Sequence, residues 1–140
     1  MPFHFKMQKV LDYREQLEEE AKVDLALKQR LLEDARALFE RLKTELLQSE
    51  DRLFQAALAP QGERWLMEQY IKGLRGDVAN AAMQTRMNEQ LVDEARKMLA
   101  ARAIERKLLE KLKERQNLQY LREEQLKEQR VNDETATLRY

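Results

Sequence analysis

Three groups of residues carry side chains that could do chemistry. His4 is the single histidine and the chain has no cysteine. With no second soft ligand at a metal-binding spacing, His4 reads as an ordinary surface residue near the N-terminus. The run Glu18-Glu19-Glu20 could hold a hard cation. Successive helical residues fan out by about 100° each, however, so three adjacent carboxylates spread over a solvated face instead of converging. The segment from Arg102 to Arg115 contains Arg102, Arg106, Lys107, Lys111, Lys113 and Arg115, which could meet phosphates or acidic protein surfaces. Its interspersed glutamates and lack of stacking aromatics argue against nucleic acid. There is no phosphate-binding lysine loop, no dinucleotide glycine pattern and no serine nucleophile elbow. The chain reads as a non-enzyme that needs no cofactor and no metal, and that works by binding through its surface.

The elements that must position these residues are helices. Of 140 residues, 37% are charged, against about 25% in a typical globular domain. Glycine and proline together number only five, too few for the turns of a β sandwich or an α/β enzyme. The 26 basic and 26 acidic residues cancel, so no chain-wide field draws the protein to nucleic acid or an anionic membrane. No apolar run exceeds four residues, which leaves no candidate span or leader segment and favours a cytoplasmic protein. The one strong turn signal is Ala59-Pro60-Gln61-Gly62-Glu63. The expected fold is all-α, a single coiled-coil domain over 1–140. It has helix 1 at about 4–58, a turn at 59–63, and a longer helix 2 at about 64–137.

Periodicity supports a coiled-coil hairpin. Leu11, Leu25, Leu32, Phe39, Leu46 and Leu53 lie on one line of sevens, and Ala21, Ala35, Leu42 and Ala56 on the line three residues on. Leu17, Leu31 and Leu38 widen the stripe, while Arg14, Glu18 and Lys28 interrupt it. In the second half, Leu91, Ala95, Met98, Leu109 and Leu112 alternate spacings of three and four, with Arg102 and Glu105 in register. Glu18/Lys22, Asp24/Lys28, Asp93/Lys97 and Glu123/Lys127 are candidate i, i+4 pairs worth about 0.2–0.5 kcal/mol each. At a rise of about 1.5 Å per residue the helices would measure roughly 80 and 110 Å, and neither is stable alone. A short turn makes them antiparallel, with residue i facing roughly residue 122 − i. Residues 1–24, with four basic and six acidic side chains, then face residues 98–121, with six basic and three acidic, which favours the hairpin over a parallel homodimer. Gly73 and Gly76 fall inside helix 2. They admit three readings: a break restarted by an Asp77 cap, close approach of another backbone, or tolerated surface glycines. The last 19 or so residues overhang the start of helix 1, leaving Tyr120, Leu121, Leu126, Val131 and Leu138 without an intramolecular partner, which admits two readings: a frayed polar tail, or a helix that docks on another protein.

The opening Phe3-x-Phe5-x-Met7-Gln8-x-Val10-Leu11-Asp12-x-Arg14-Glu15, the segment Leu109-Glu110-Lys111-Leu112-Lys113-Glu114-Arg115, the closing Asp133-Glu134-x-Ala136 and Tyr70-Ile71-x-x-Leu74 together resemble the FliJ family of the flagellar type III export apparatus. The resemblance covers nearly the whole chain. It implies an antiparallel two-helix coiled coil, like the central stalk of rotary ATPases. Such a stalk sits in the pore of the hexameric export ATPase and promotes its assembly. It also contacts the cytoplasmic domain of the export gate and handles export chaperones. It further implies a cytoplasmic location at the basal body, with membrane association only through partners. By this resemblance Tyr70 and Leu74 are export-gate contacts, with Asp77 and Ala81 as less certain matches. The helix termini form the end that enters the ATPase ring, with Arg106, Lys107, Lys111, Arg115, Tyr120, Leu121 and Leu126 as the ATPase contacts. The equivalent stalk of a virulence secretion system and a structural spacer without ATPase contact are the alternatives.

A hairpin of this kind should scatter as a strongly elongated, almost wholly helical particle. Small-angle scattering that gives a radius of gyration near the roughly 14 Å of a compact domain of this length would contradict the reading.

Overall fold

The computed structural model describes residues 2–139. It contains two helices, α1 (Gln8–Gln55) and α2 (Gln61–Arg139), paired as a helical hairpin. No helix is long and apolar enough to cross a membrane. No glycine or proline falls within α1, and α2 starts directly after Pro60. The Pro60 carbonyl accepts the first bond of that helix, from the Arg64 N–H at 3.1 Å, and the missing proline N–H costs nothing where helix donors are unpaired anyway.

Both helices depart from their expected bounds for local reasons. α1 starts at Gln8 instead of about residue 4, because Phe5 is buried and its carbonyl accepts the Gln8 N–H at 3.1 Å. At its other end α1 stops at Gln55, and the turn occupies residues 56–60. The residue before a proline is disfavoured in helical geometry, so the chain leaves the helix upstream of Pro60. The Ala56 N–H is shared between the carbonyls of Arg52 (2.9 Å) and Leu53 (3.2 Å), a tightened last turn. Gly62 accordingly lies in the first turn of α2.

Two compact units are built on these helices. In one, residues up to Ala21 pack with residues from Leu99 onward; the other runs from Lys22 to Met98. The first is centred on Phe5, Leu11 and Leu109, with Phe3 and Leu112 half-buried against them. Phe3 also tilts against Tyr120, with ring centroids 5.8 Å apart. The second buries Leu32, Ile71, Leu74, Ala81, Val92 and Ala95.

The two lines read in α1 are the ones that face α2. Leu11, Glu18 and Leu32 are buried on one and Ala21 and Ser49 on the other, with Leu25, Ala35, Phe39, Leu42, Leu46, Leu53 and Ala56 half-buried between. In α2 the expected seam is right in part. Ala95 and Leu109 are buried and Leu112 is half-buried, but Leu91 and Met98 are exposed, and the second line runs through Ile71, Val78, Thr85, Val92, Leu99 and Arg106. Both candidate lines flank the same Ala95/Leu109 row, and pairing with α1 selects between them. The expected i, i+4 pairing holds for Asp24 and Lys28 at 2.9 Å, whereas Asp93 meets Arg96 and Lys127 meets Glu124.

α2 is unbroken through Gly73 and Gly76, and a Cβ added at either would meet nothing within 4 Å. Helix break and close approach are thus both excluded; these are open surface glycines. Gly73→Ala and Gly76→Ala should each raise unfolding stability by about 1 kcal/mol, and Leu11→Ala should lower it by about 2–5 kcal/mol. Denaturant titration of the three variants checks both signs.

Candidate partner-binding surfaces

The base unit sorts its charges into two sets. Arg106 donates through Nε and Nη2 to the buried Glu18 and through Nη1 to Glu110 Oε2 at 2.8 Å. These hydrogen bonds, to Glu18 first and then to Glu110, raise the already high proton affinity of the guanidinium. Arg14 Nη1 donates to the Glu105 carbonyl at 3.0 Å, Arg102 Nη1 to Glu105 Oε2 at 3.2 Å, and Lys113 Nζ to Gln8 Oε1 at 2.7 Å. The pairs 18/106, 8/113 and 3/120 all lie within three residues of the expected register. Of the basic segment, then, Arg106 and Lys113 reach across to α1, and Arg102 is paired within α2 with Glu105. Lys107, Lys111 and Arg115, four residues apart, are exposed and form one outward row.

Two of the expected ATPase contacts have partners within the chain. Arg106 is engaged inside the seam, so it positions the surface instead of forming it. Tyr120 has an intramolecular partner, Phe3, because the N-terminal residues leave the helix and fold across. Leu121, Leu126, Val131 and Leu138 remain exposed on α2 past that stacking. Ile104, Leu108 and Leu118, which drew no attention in the sequence, are also exposed. Their spacing with Lys111 and Arg115 places them on one helical face, and that i, i+4 pattern was the available signal.

In the second unit Tyr70 and Leu74 do not share a surface. Tyr70 is 52% exposed, but Leu74 is 5% exposed and lies in the seam. Four residues advance a helix by slightly more than a turn, enough to carry one side chain from the flank into the interface. The Tyr70 hydroxyl donates to Glu45, and that hydrogen bond, followed by desolvation and the Glu45 charge, raises the phenol's proton affinity. Asp77 is exposed and Ala81 buried. Near the turn, Phe54, Leu58, Trp65 and Leu66 are exposed.

A family model described as Flagellar FliJ protein matches residues 3–140. Comparison with curated proteins and with solved structures gave no match.

The Glu45 contact predicts a titration. A phenol whose folded proton affinity is raised contributes stability that is present below its ordinary value of 10.0 and lost as pH rises through the folded value. Tyr70 should ionise late in an ultraviolet titration, and Tyr70→Phe should remove that late component. The same substitution should lessen the alkaline loss of stability. An unchanged titration curve in the variant would contradict the contact.

Proposed function

The chain belongs to the FliJ family of flagellar proteins, matched from residue 3 to residue 140, and on that premise we propose that it is a non-enzymatic, cytoplasmic stalk of the flagellar export apparatus. In this reading its base end enters the ring of the hexameric export ATPase and promotes ring assembly, its Tyr70 flank meets the cytoplasmic domain of the export gate, and export chaperones bind along it. It reaches the basal body membrane only through these partners.

The observation that carries the reading is the unpaired end of α2. Beyond Tyr120, Leu121, Leu126, Val131 and Leu138 stand exposed on a continuous helix with no helix of the same chain at that level. A helix with sparse apolar anchors on a charged surface suits a groove on another protein. Lys107, Lys111 and Arg115, facing outward just before it, suit acidic residues lining a pore. A stalk end meeting one or a few subunits of a ring acts by biasing their arrangement, and it supplies no group to ATP hydrolysis. Leu74, being buried, serves the gate contact only by holding the Tyr70 flank in place.

The test is ATP turnover by the purified export ATPase, with the full chain and with a chain ended after Tyr120. The shortened chain should keep its paired helices and lose most of its stimulation. Lys107→Glu, Lys111→Glu and Arg115→Glu should each weaken the effect by at most about fivefold, less at high salt, because exposed ion pairs contribute little and are screened. Equal stimulation by full and shortened chains would defeat the proposal.

A further inference from the structure

The two flanks of the seam in the unit from Lys22 to Met98 are chemically unlike. On one flank, Arg36 meets Glu89 at 3.4 Å and Arg75 meets Glu50 at 3.3 Å, so charges of both signs close it. The positions just outside the seam on the other flank carry Leu31 and Leu38 from α1 and Leu91 and Met98 from α2. Leu27 and Met87 lie one row further out. All six side chains are 39–56% exposed. In an antiparallel pair, the row one residue before Leu32 and Phe39 lies beside the row one residue before Val92 and Leu99. The Tyr70 to Glu45 hydrogen bond joins the same two rows. Between the helices on this flank runs a groove of about 270 Å³, lined by the apolar Ala35, Leu38, Leu42 and Ala81 and by Asp77, Asn80 and Gln84.

Apolar residues repeated just outside a completed two-helix seam mark the place where a third helix packs. The charges in these rows select the occupant. At the level of the six apolar residues and the groove, Asp24, Asp34, Glu45, Asp77 and Glu94 are acidic and Arg41 is basic. Lys28 answers Asp24, and Tyr70 donates to Glu45, but Asp34, Asp77 and Glu94 are exposed around the apolar band. A second copy of this chain would set these acids against their own kind, which electrostatic complementarity disfavours. We propose that this flank docks a basic amphipathic helix of another protein, its apolar anchors over Leu31, Leu91 and the groove and its lysines or arginines beside Asp34, Asp77 and Glu94. Met87 and Met98 give the surface a deformable lining, so it can accept helices whose anchors differ in shape. The groove includes Asp77 and Ala81 and lies on the same flank as Tyr70, so a helix docked here adjoins the proposed gate contact; it uses no residue of the α2 overhang and stands whether or not the ATPase reading does.

The experiment uses the full chain and two fluorescein-labelled helical peptides. Both carry leucines at three- and four-residue spacing; one has lysines on its flanks and the other glutamates. Fluorescence anisotropy should show the lysine peptide binding at least about tenfold more tightly than the glutamate peptide, with the difference shrinking as salt rises. Leu31→Asp with Leu91→Asp should abolish binding of the lysine peptide. Asp34→Lys with Glu94→Lys, which alters only exposed side chains, should reverse the preference toward the glutamate peptide, and circular dichroism should show unchanged helix content in that variant. Equal affinity for the two peptides, or an unreversed preference in a folded Asp34→Lys, Glu94→Lys chain, would overturn the proposal. So would a concentration-dependent dimer in sedimentation that Leu31→Asp with Leu91→Asp dissolves, since a second copy would then be the occupant.

Discussion

The arrangement depends on one buried polar contact in an otherwise incomplete apolar seam, the pairing of Glu18 with Arg106. Both residues occupy positions where a coiled coil prefers an aliphatic side chain, and removing either takes from the other its partner across the seam, leaving Arg106 with Glu110 on its own helix. Together they satisfy one another, and they do so in one alignment. A slip of one heptad would bring Arg106 opposite Leu11 or Leu25 and leave its charge against hydrocarbon. Apolar contacts of similar size every seven residues discriminate poorly between such alignments, so the charge pair supplies the discrimination. Phe5, Leu11 and Leu109 then close the end of the seam beyond it.

Fixing the alignment also fixes what is left over. Once Arg106 faces α1, Lys107, Lys111 and Arg115 must face outward, since they sit on the opposite side of the same helical turns. Once Phe3 lies on Tyr120, the partnerless part of α2 starts just after it. The surfaces available to other proteins are therefore consequences of the internal pairing. A change inside the seam would move all of them together, which is how a paired-helix protein can be sensitive to substitutions far from any partner.

The α1 seam was legible because leucine or phenylalanine recurs there every seventh residue with few competitors. In α2, Leu91 and Met98 lie one residue from the comparably apolar Val92 and Leu99, and hydropathy alone does not choose between the two rows. Only the geometry of pairing, which puts Arg106 against Glu18, resolves it. Gly73 and Gly76 were ambiguous because a glycine's meaning depends on what its missing side chain would strike, and here there is open space. Tyr70 and Leu74 looked like one face because they are one turn apart, yet the edge of the interface passes between them. The Phe3 and Tyr120 contact lay beyond reach, since it requires the first residues to leave the helix that periodicity extended to them.

The central claim is that Glu18 and Arg106 act as one unit that sets the alignment. A double-mutant cycle in thermal unfolding, with Glu18→Leu, Arg106→Leu and both together, tests it most directly. Each single substitution leaves the other charge without its partner across the seam and should lower the melting temperature. The double substitution should recover most of the loss, because two leucines complete the seam. A double variant that falls by the sum of the two single losses would contradict the account.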